Sequence, residues 1–190
     1  INPSGSSSPN WLTVFNNELY FQAYDVTHGY ELWKYDGVNA PSMIADINPN
    51  GNGGPSYLSC GSITQLSVFN NVLYFNSDDG THGYELWKYD GVNQPSMVAD
   101  INPTGHSQPS GLTVFNNELY FQANDGTHVG ELMKYDGVNP PSIVADINPF
   151  GGGGANHLRV FNNELYFAAN DGTNGTELWK YDGVNAPSMV

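Results

Sequence analysis

The stretch "NELYFQANDGTHVGELMKYDG", residues 117–137, holds two extended segments and the turn between them. In "ELYF", Leu119 and Phe121 fall on one face and Glu118 and Tyr120 on the other, which is the two-residue alternation of a β-strand. Asn-Asp-Gly-Thr then provides turn-forming residues, and "ELMKYDG" follows as a second extended run. The stretch therefore predicts two short strands joined by a tight turn.

The same pattern recurs in four copies, and no window shows an apolar stripe at helical spacing. The copies are residues 1–46, 47–100, 101–146 and 147–190. Each has four extended runs of the types "LTVFNN", "ELYFQA", "ELWKYDG" and "PSMVADIN", and the Asn-Asn pair between the first two tolerates the positive φ of a tight hairpin. Four strands repeated every 40 to 50 residues are typical of propeller blades. We predict one all-β repeat domain over residues 1–190, a β-propeller of four four-stranded antiparallel blades.

The two ends of the sequence leave the closure of the propeller open. The last copy stops after Val190, where the other copies continue "AD-INP", and the chain begins with "INP". The amino end could complete the final blade, or it could pair with a neighbouring chain and build a homo-oligomer. As a third alternative, the chain is a segment of a longer array.

Composition restricts the classes of partner. Five Lys and Arg stand against 19 Asp and Glu, a formal net charge of -14, and such a field repels nucleic acid and anionic lipid. No apolar run has the length of a membrane span, so membrane insertion is not expected. Cations and neutral molecules are the classes of ligand that this charge does not disfavour. The single cysteine, Cys60, lies in an eight-residue insertion of copy two and does not identify a compartment.

Several blocks of the repeat resemble a known family. "NDGTNGTELWKYDG" (170–183), "NDGTHVGELMKYDG" (124–137) and "ADINP" (45–49, 99–103 and 145–149) resemble the bacterial ELWxxDGT repeat. The resemblance implies a secreted or cell-surface protein, so we expect an extracellular location. It implies no reaction. Valine follows Asp-Gly in this chain where the family has threonine.

The charged residues recur in register from copy to copy. Every copy has a Glu before Leu-Trp or Leu-Met, a Lys three residues later, and an Asp in the following turn, as in Glu31, Lys34 and Asp36. A catalytic site needs an asymmetric acid and base held at different pKa values, so four equal copies argue against an enzyme. We expect Asp36 and its counterparts to accept hydrogen bonds from the following glycine N–H groups in Asx-type turns.

Calcium is the one ion worth considering, and no other cofactor is expected. Oxygen-rich segments offer carboxylate and carbonyl ligands, of which calcium needs six to eight. Three aspartates at equivalent strand ends are candidate ligands near a propeller axis: Asp46, Asp100 and Asp146. The histidines occur once per copy, which places them too far apart to share zinc and favours surface turns. They are His28, His82 and His128, with Asn174 in copy four.

The aromatic residues of the "ELWKY" runs are candidate ligand platforms, since sugars stack their C–H faces on such planes. The candidates are Trp33, Tyr35, Trp87, Tyr89, Trp179 and Tyr181. Trp11, in a variable loop, is a further candidate. The alternative is that these side chains fill the space between blades. Met133 replaces a tryptophan in copy three and favours that alternative, because methionine packs well but stacks poorly.

These features predict a non-enzymatic, secreted binding module that recognises glycans or cell-surface proteins through repeated surfaces. The second hypothesis is a structural module that assembles through a shared last-blade strand. An enzyme using the axial cavity is the third.

Overall fold

The computed structural model describes residues 1–49 and 66–190, so the copy-two insertion with Cys60 lies outside the described residues. The chain divides into two compact units, residues 1–100 and 101–190. The described residues contain sixteen strands and no helix, and hence no helical segment with the length and hydropathy of a membrane span. The all-β prediction is confirmed.

The first unit contains two four-stranded sheets, blade 1 and blade 2. The strands of blade 1 are β1 (Asn10–Phe15), β2 (Glu18–Asp25), β3 (Gly29–Tyr35) and β4 (Ser42–Ala45). The strands of blade 2 are β5 (Ser67–Phe69), β6 (Val72–Asp78), β7 (Tyr84–Tyr89) and β8 (Ser96–Ala99). In both blades each strand pairs antiparallel with the next strand along the chain.

The second unit repeats this arrangement as blade 3 and blade 4. The strands of blade 3 are β9 (Ser110–Phe115), β10 (Glu118–Ala123), β11 (Glu131–Tyr135) and β12 (Ser142–Ala145). The strands of blade 4 are β13 (Asn156–Phe161), β14 (Glu164–Asn170), β15 (Thr176–Tyr181) and β16 (Ser188–Met189). The four antiparallel sheets confirm the predicted division into four four-stranded blades.

Two asparagines form the hairpin turn at the start of every blade. In blade 3 the φ angles are 45° at Asn116 and 59° at Asn117, and Phe115 pairs directly with Glu118. Positive φ at both central residues of a two-residue loop matches the right-handed twist of the flanking strands. Asparagine tolerates this conformation better than most residues, which explains why the pair recurs.

Within each unit, the second blade covers one face of the first. In the second unit Leu165, Phe167 and Tyr181 of blade 4 pack with Tyr120 and Leu132 of blade 3. We call the covered side of the earlier blade its trailing face and the covering side of the later blade its leading face. Blade 2 covers the trailing face of blade 1 with the equivalent residues, so both units have the same core.

A buried glutamate lies at or near the start of the third strand in blades 1, 2 and 3. Glu131 is 1 % exposed, and it accepts hydrogen bonds from Ile147 N at 3.0 Å and Gly153 N at 2.6 Å, both in the linker to blade 4. Glu31 likewise accepts a bond from Ile47 N at 3.2 Å. Burial raises the pKa of Glu131, although the two backbone donors oppose that shift. The glutamate thus ties the linker to the preceding blade.

Candidate functional site

The turn before β11 fixes a histidine against a carboxylate. Asp125 Oδ1 accepts the N–H groups of Thr127 at 2.8 Å and His128 at 2.7 Å, and Asp125 Oδ2 lies 2.9 Å from His128 Nδ1. The Asp125 hydrogen bond raises the pKa of His128. Burial opposes ionisation of Asp125, but the bonds from His128 and Thr127 lower its pKa overall. The imidazole is therefore held with Nδ1 on Asp125 and Nε2 directed elsewhere.

Copy four shows which part of this arrangement the turn itself requires. Asn174 replaces the histidine, and its Nδ2 donates to Asp171 Oδ2 at 2.7 Å. Asp171 Oδ1 also accepts the Thr173 and Asn174 N–H groups, as Asp125 does in copy three. Asparagine is thus sufficient for the turn. What histidine adds is a second ring nitrogen that the turn does not use.

That second nitrogen faces Asp146, which follows β12. His128 Nε2 lies 3.9 Å from Asp146 Oδ2, too far for a direct hydrogen bond and close enough for an electrostatic interaction. The two side chains are 35 % and 34 % exposed. They meet because β11 and β12 are antiparallel, which places the start of the first strand beside the end of the second.

A cleft of about 400 Å³ opens at this pair. Its walls are Thr127, His128, Val129, Asp146 and the linker residues 148–152. Phe150 is 98 % exposed at the margin of the cleft. The linker is held by its own asparagine, since Asn148 Nδ2 donates to Gly152 O at 3.3 Å and Asn148 Oδ1 accepts the Phe150 N–H at 3.2 Å.

These groups are suited to binding a small hydroxylated molecule. A hydroxyl group placed between His128 Nε2 and Asp146 Oδ2 can bond to both, because a hydroxyl both donates and accepts. The exposed ring of Phe150 offers an apolar plane beside these polar groups. Polar groups that fix orientation, combined with an apolar surface, are typical of ligand sites.

The same pairing recurs in copies one and two. His28 contacts Asp25 at 2.8 Å, and His82 contacts Asp79 at 2.8 Å. The hydrogen bond to that turn aspartate raises the pKa of each histidine, and a strand-end aspartate adds to the shift, Asp46 for His28 and Asp100 for His82. Sequence reasoning placed these histidines in turns but missed the pairing. A detectable signal was present, because each strand-end aspartate follows its histidine by 18 residues in all three copies.

This placement bears on the calcium hypothesis. Asp46, Asp100 and Asp146 each lie near the histidine of their own copy. Across residues 1–49 and 66–190, no three His, Cys, Asp or Glu side chains come together as a metal site requires. The proposed convergence of the three aspartates gains no support, and calcium binding stays a prediction.

The aromatic candidates lie mostly inside the blades. Trp33 is 8 % exposed, Trp87 is 9 % exposed, and Met133 at the same position is 4 % exposed. Tyr89 and Tyr181 are buried, whereas Tyr35, Trp179 and Trp11 are half-buried. A sugar ring cannot stack on an indole plane that is already covered. The burial of Met133 with its tryptophan counterparts agrees with the packing alternative.

In the Asp-Gly-Val-Asn turns, the N–H groups that donate to the aspartate are not the predicted glycine N–H groups. Asp36 Oδ1 accepts the N–H groups of Val38 and Asn39, both at 2.8 Å, and not the N–H of Gly37. Gly37 has φ of 87°, which turns the chain so that the next two N–H groups point back at the carboxylate. Hydrogen bonds from Asn39 and Val38 lower the pKa of Asp36 to about 2. The side chain of Val38 is left 85 % exposed at the tip.

Comparison with known proteins relates the fold to solved structures. The sequence matches no protein family and no curated protein. The chain is similar to a puromycin hydrolase complexed with PGG, with TM-score 0.63 and 15 % identity over 94 % of this chain and 28 % of the hydrolase. It is also similar to the β-propeller domain of the Trilobed protease from Pyrococcus furiosus, with TM-score 0.51 and 12 % identity over 99 % of this chain and 55 % of that one.

The chain thus spans less than two thirds of the length of either protein. At these identities the similarity shows the fold alone, and the fold is a β-propeller. The similarity to ELWxxDGT repeats stays a prediction.

Proposed function

We propose that this protein is a non-enzymatic, extracellular binding module that recognises glycans through the cleft beside its His128–Asp146 pair. The observation that carries the proposal is the 3.9 Å gap between His128 Nε2 and Asp146 Oδ2, next to the exposed ring of Phe150. A sugar offers vicinal hydroxyl groups for the pair and a C–H face for the ring. Its neutrality also suits a chain with a net charge of -14.

The recurrence of the histidine–aspartate pair in three copies supports binding rather than catalysis. Equivalent weak sites on one scaffold increase the avidity for a ligand that repeats, such as a surface polysaccharide. Acid–base catalysis instead needs two groups whose environments differ. The extracellular location rests on the resemblance of the repeat to those of secreted and cell-surface proteins.

The test is a screen of the protein on a glycan array, followed by calorimetric titration with the oligosaccharide that gives the strongest signal. The central variant is His128→Asn. Asn174 makes the same turn in copy four, so this variant keeps the turn and removes only Nε2. We expect affinity to fall roughly 10- to 100-fold, the value of one hydrogen bond to a charged group.

Two further variants separate the polar groups of the cleft from its apolar surface. Asp146→Asn removes the carboxylate, and Phe150→Ala removes a ring that is 98 % exposed, so neither should change the fold. Val138→Ser is the matched control, because Val138 is 85 % exposed and lies outside the cleft. The absence of binding to any glycan on a broad array would contradict the proposal, and so would an unchanged affinity in His128→Asn. Recovery of cleaved sugar after incubation would refute the non-enzymatic part.

A further inference from the structure

The cleft beside His128 and Asp146 has an apolar side chain in its wall where the other copies have none. Val129 directly follows His128, is 54 % exposed and lines the cleft. The equivalent residue in the other three copies is a glycine: Gly29, Gly83 and Gly175. A side chain at this position therefore belongs to copy three alone.

The linker after blade 3 lies close to Val129 because its residues are glycines. Gly153 N donates to Val129 O at 3.1 Å, and Gly152 pairs with Val129 in a parallel bridge. A Cβ atom at Gly152 would lie 3.0 Å from Val129 O and 3.5 Å from Val129 Cγ1, so a larger residue would push the linker away. Val129 on the turn and Phe150 on the linker thus add apolar side chains to the walls of the cleft.

Three polar groups of the cleft walls are not used by the fold. In the part of the chain that the structure describes, the Asp146 carboxylate, the Thr127 hydroxyl and the Gly152 N–H take part in no hydrogen bond. The carboxylate is an acceptor, the Gly152 N–H is a donor, and the hydroxyl can be either. A ligand that matches these walls therefore offers a donor, an acceptor and a small apolar group, and it carries no negative charge.

The acetamido group of an N-acetylated amino sugar has this composition. Its N–H donates, its carbonyl oxygen accepts, its methyl group is apolar, and the group as a whole is neutral. We propose that this cleft selects sugars that carry an acetamido group. The inference rests on the proposed glycan binding and specifies the class of sugar.

Each part of the acetamido group has a counterpart in the cleft. The N–H donates to Asp146 Oδ1, which leaves Asp146 Oδ2 and His128 Nε2 to a ring hydroxyl. The carbonyl oxygen accepts from the Gly152 N–H or the Thr127 hydroxyl, and the methyl group packs against Val129. An ammonium group would also pair with Asp146, but it would leave the donors and the apolar wall unmatched.

The test is calorimetric titration of the protein with N-acetylglucosamine, glucosamine and glucose, and with their galacto epimers. The members of each series carry an acetamido, an ammonium or a hydroxyl group at the same ring carbon. We expect the acetamido sugar to bind roughly tenfold or more tightly than the hydroxyl sugar, which lacks the methyl group and the carbonyl acceptor. Equal affinities or tighter binding of the amine overturn the inference, as does a glycan array on which only glycans without acetamido groups bind. The absence of binding to any glycan contradicts the proposed glycan binding itself.

Val129→Ala tests the contact with the methyl group. The variant keeps the backbone oxygen that accepts from Gly153 N, and Val129 is 54 % exposed, so the circular dichroism spectrum should not change. We expect the affinity for the acetamido sugar to fall roughly three- to tenfold and the affinity for the hydroxyl sugar to stay the same. Val138→Ala, at an exposed turn tip outside the cleft, is the matched control and should keep the full preference. An unchanged preference in Val129→Ala, or an equal loss for both sugars, overturns the assignment.

Discussion

Replacing Gly153 by alanine tests how the linker is fastened to the buried glutamate. Gly153 lies in the glycine run between blades 3 and 4, and it is buried. A Cβ atom at Gly153 would overlap both carboxylate oxygens of Glu131. The φ angle of Gly153 is not positive, so alanine brings no left-handed strain there, and the three atoms nearest to the added Cβ all belong to Glu131.

The expected cost has two parts. Moving the carboxylate breaks the 2.6 Å bond from Gly153 N to Glu131, and a hydrogen bond to a charged group contributes about 1.5–3 kcal/mol. Overpacking a well-filled interior costs about 1–3 kcal/mol. We therefore expect Gly153→Ala to lower the free energy of unfolding by roughly 3–5 kcal/mol.

The neighbouring glycine is the control. A Cβ atom at Gly154 meets nothing within 4 Å, but φ there is 62°, so Gly154→Ala carries only the backbone cost of roughly 1–2 kcal/mol. Both variants are compared by urea unfolding followed by tryptophan fluorescence. Glu131→Ala removes the side chain that obstructs the Cβ atom, so Gly153→Ala should cost less than about 1 kcal/mol in that background.

Two results would contradict a steric conflict between residue 153 and Glu131. One is a Gly153→Ala variant no less stable than Gly154→Ala. The other is an equal cost of Gly153→Ala with and without the Glu131 side chain, because the two residues would then be energetically independent.

Other perturbations probe the titration, the ion pairs and the turns. The pKa of Glu131 is raised above its ordinary 4.5, so this group stabilises the fold most below that value, and its contribution is lost as pH rises through the folded pKa. The free energy of unfolding in urea should therefore decline less steeply from acid to neutral pH in Glu131→Gln than in the unmodified protein. Copies one, three and four pair a glutamate with the lysine of the third strand, whereas copy two has Val72 at the position of that glutamate. Val72→Glu should therefore pair with Lys88 and raise the thermal midpoint, with a gain in stability of up to about 1 kcal/mol. An unchanged midpoint would show that solvent fully screens the pair. Asn117→Gly should keep or slightly raise stability, because glycine adopts φ of 59° without strain. Asn117→Val should lose roughly 1–2 kcal/mol of stability in the same assay. Equal stability of the two variants would contradict a positive-φ turn.

Much of the blade could be predicted because its determinants are local. Two-residue alternation specifies the strands, and Asn116 with Asn117 specifies the hairpin, since the signal lies in adjacent residues. The turn at Asp36 was predicted in type, but its donors were not, because they depend on the φ of 87° at Gly37. The repeat period then indicated blades, and antiparallel pairing of consecutive strands confirmed them.

The candidate site was less accessible to sequence reasoning. His128 and Asp146 were each noted, one as a turn residue and the other as a possible calcium ligand. Their meeting depends on the pairing of β11 with β12, which brings residues 18 positions apart to one end of a sheet. An interaction between strand ends is invisible to a pattern read along a single strand.

The repeat, the alternation within strands and the turn chemistry follow from the amino-acid sequence alone, because each depends on side chains and backbone angles a few residues apart. Which of the repeated side chains are buried depends instead on tertiary packing. Met133 and Trp33 are covered, whereas Leu178 is exposed although its counterpart Leu132 is fully buried. Equivalent positions of the repeat acquire different environments because burial depends on tertiary packing and not on the local sequence.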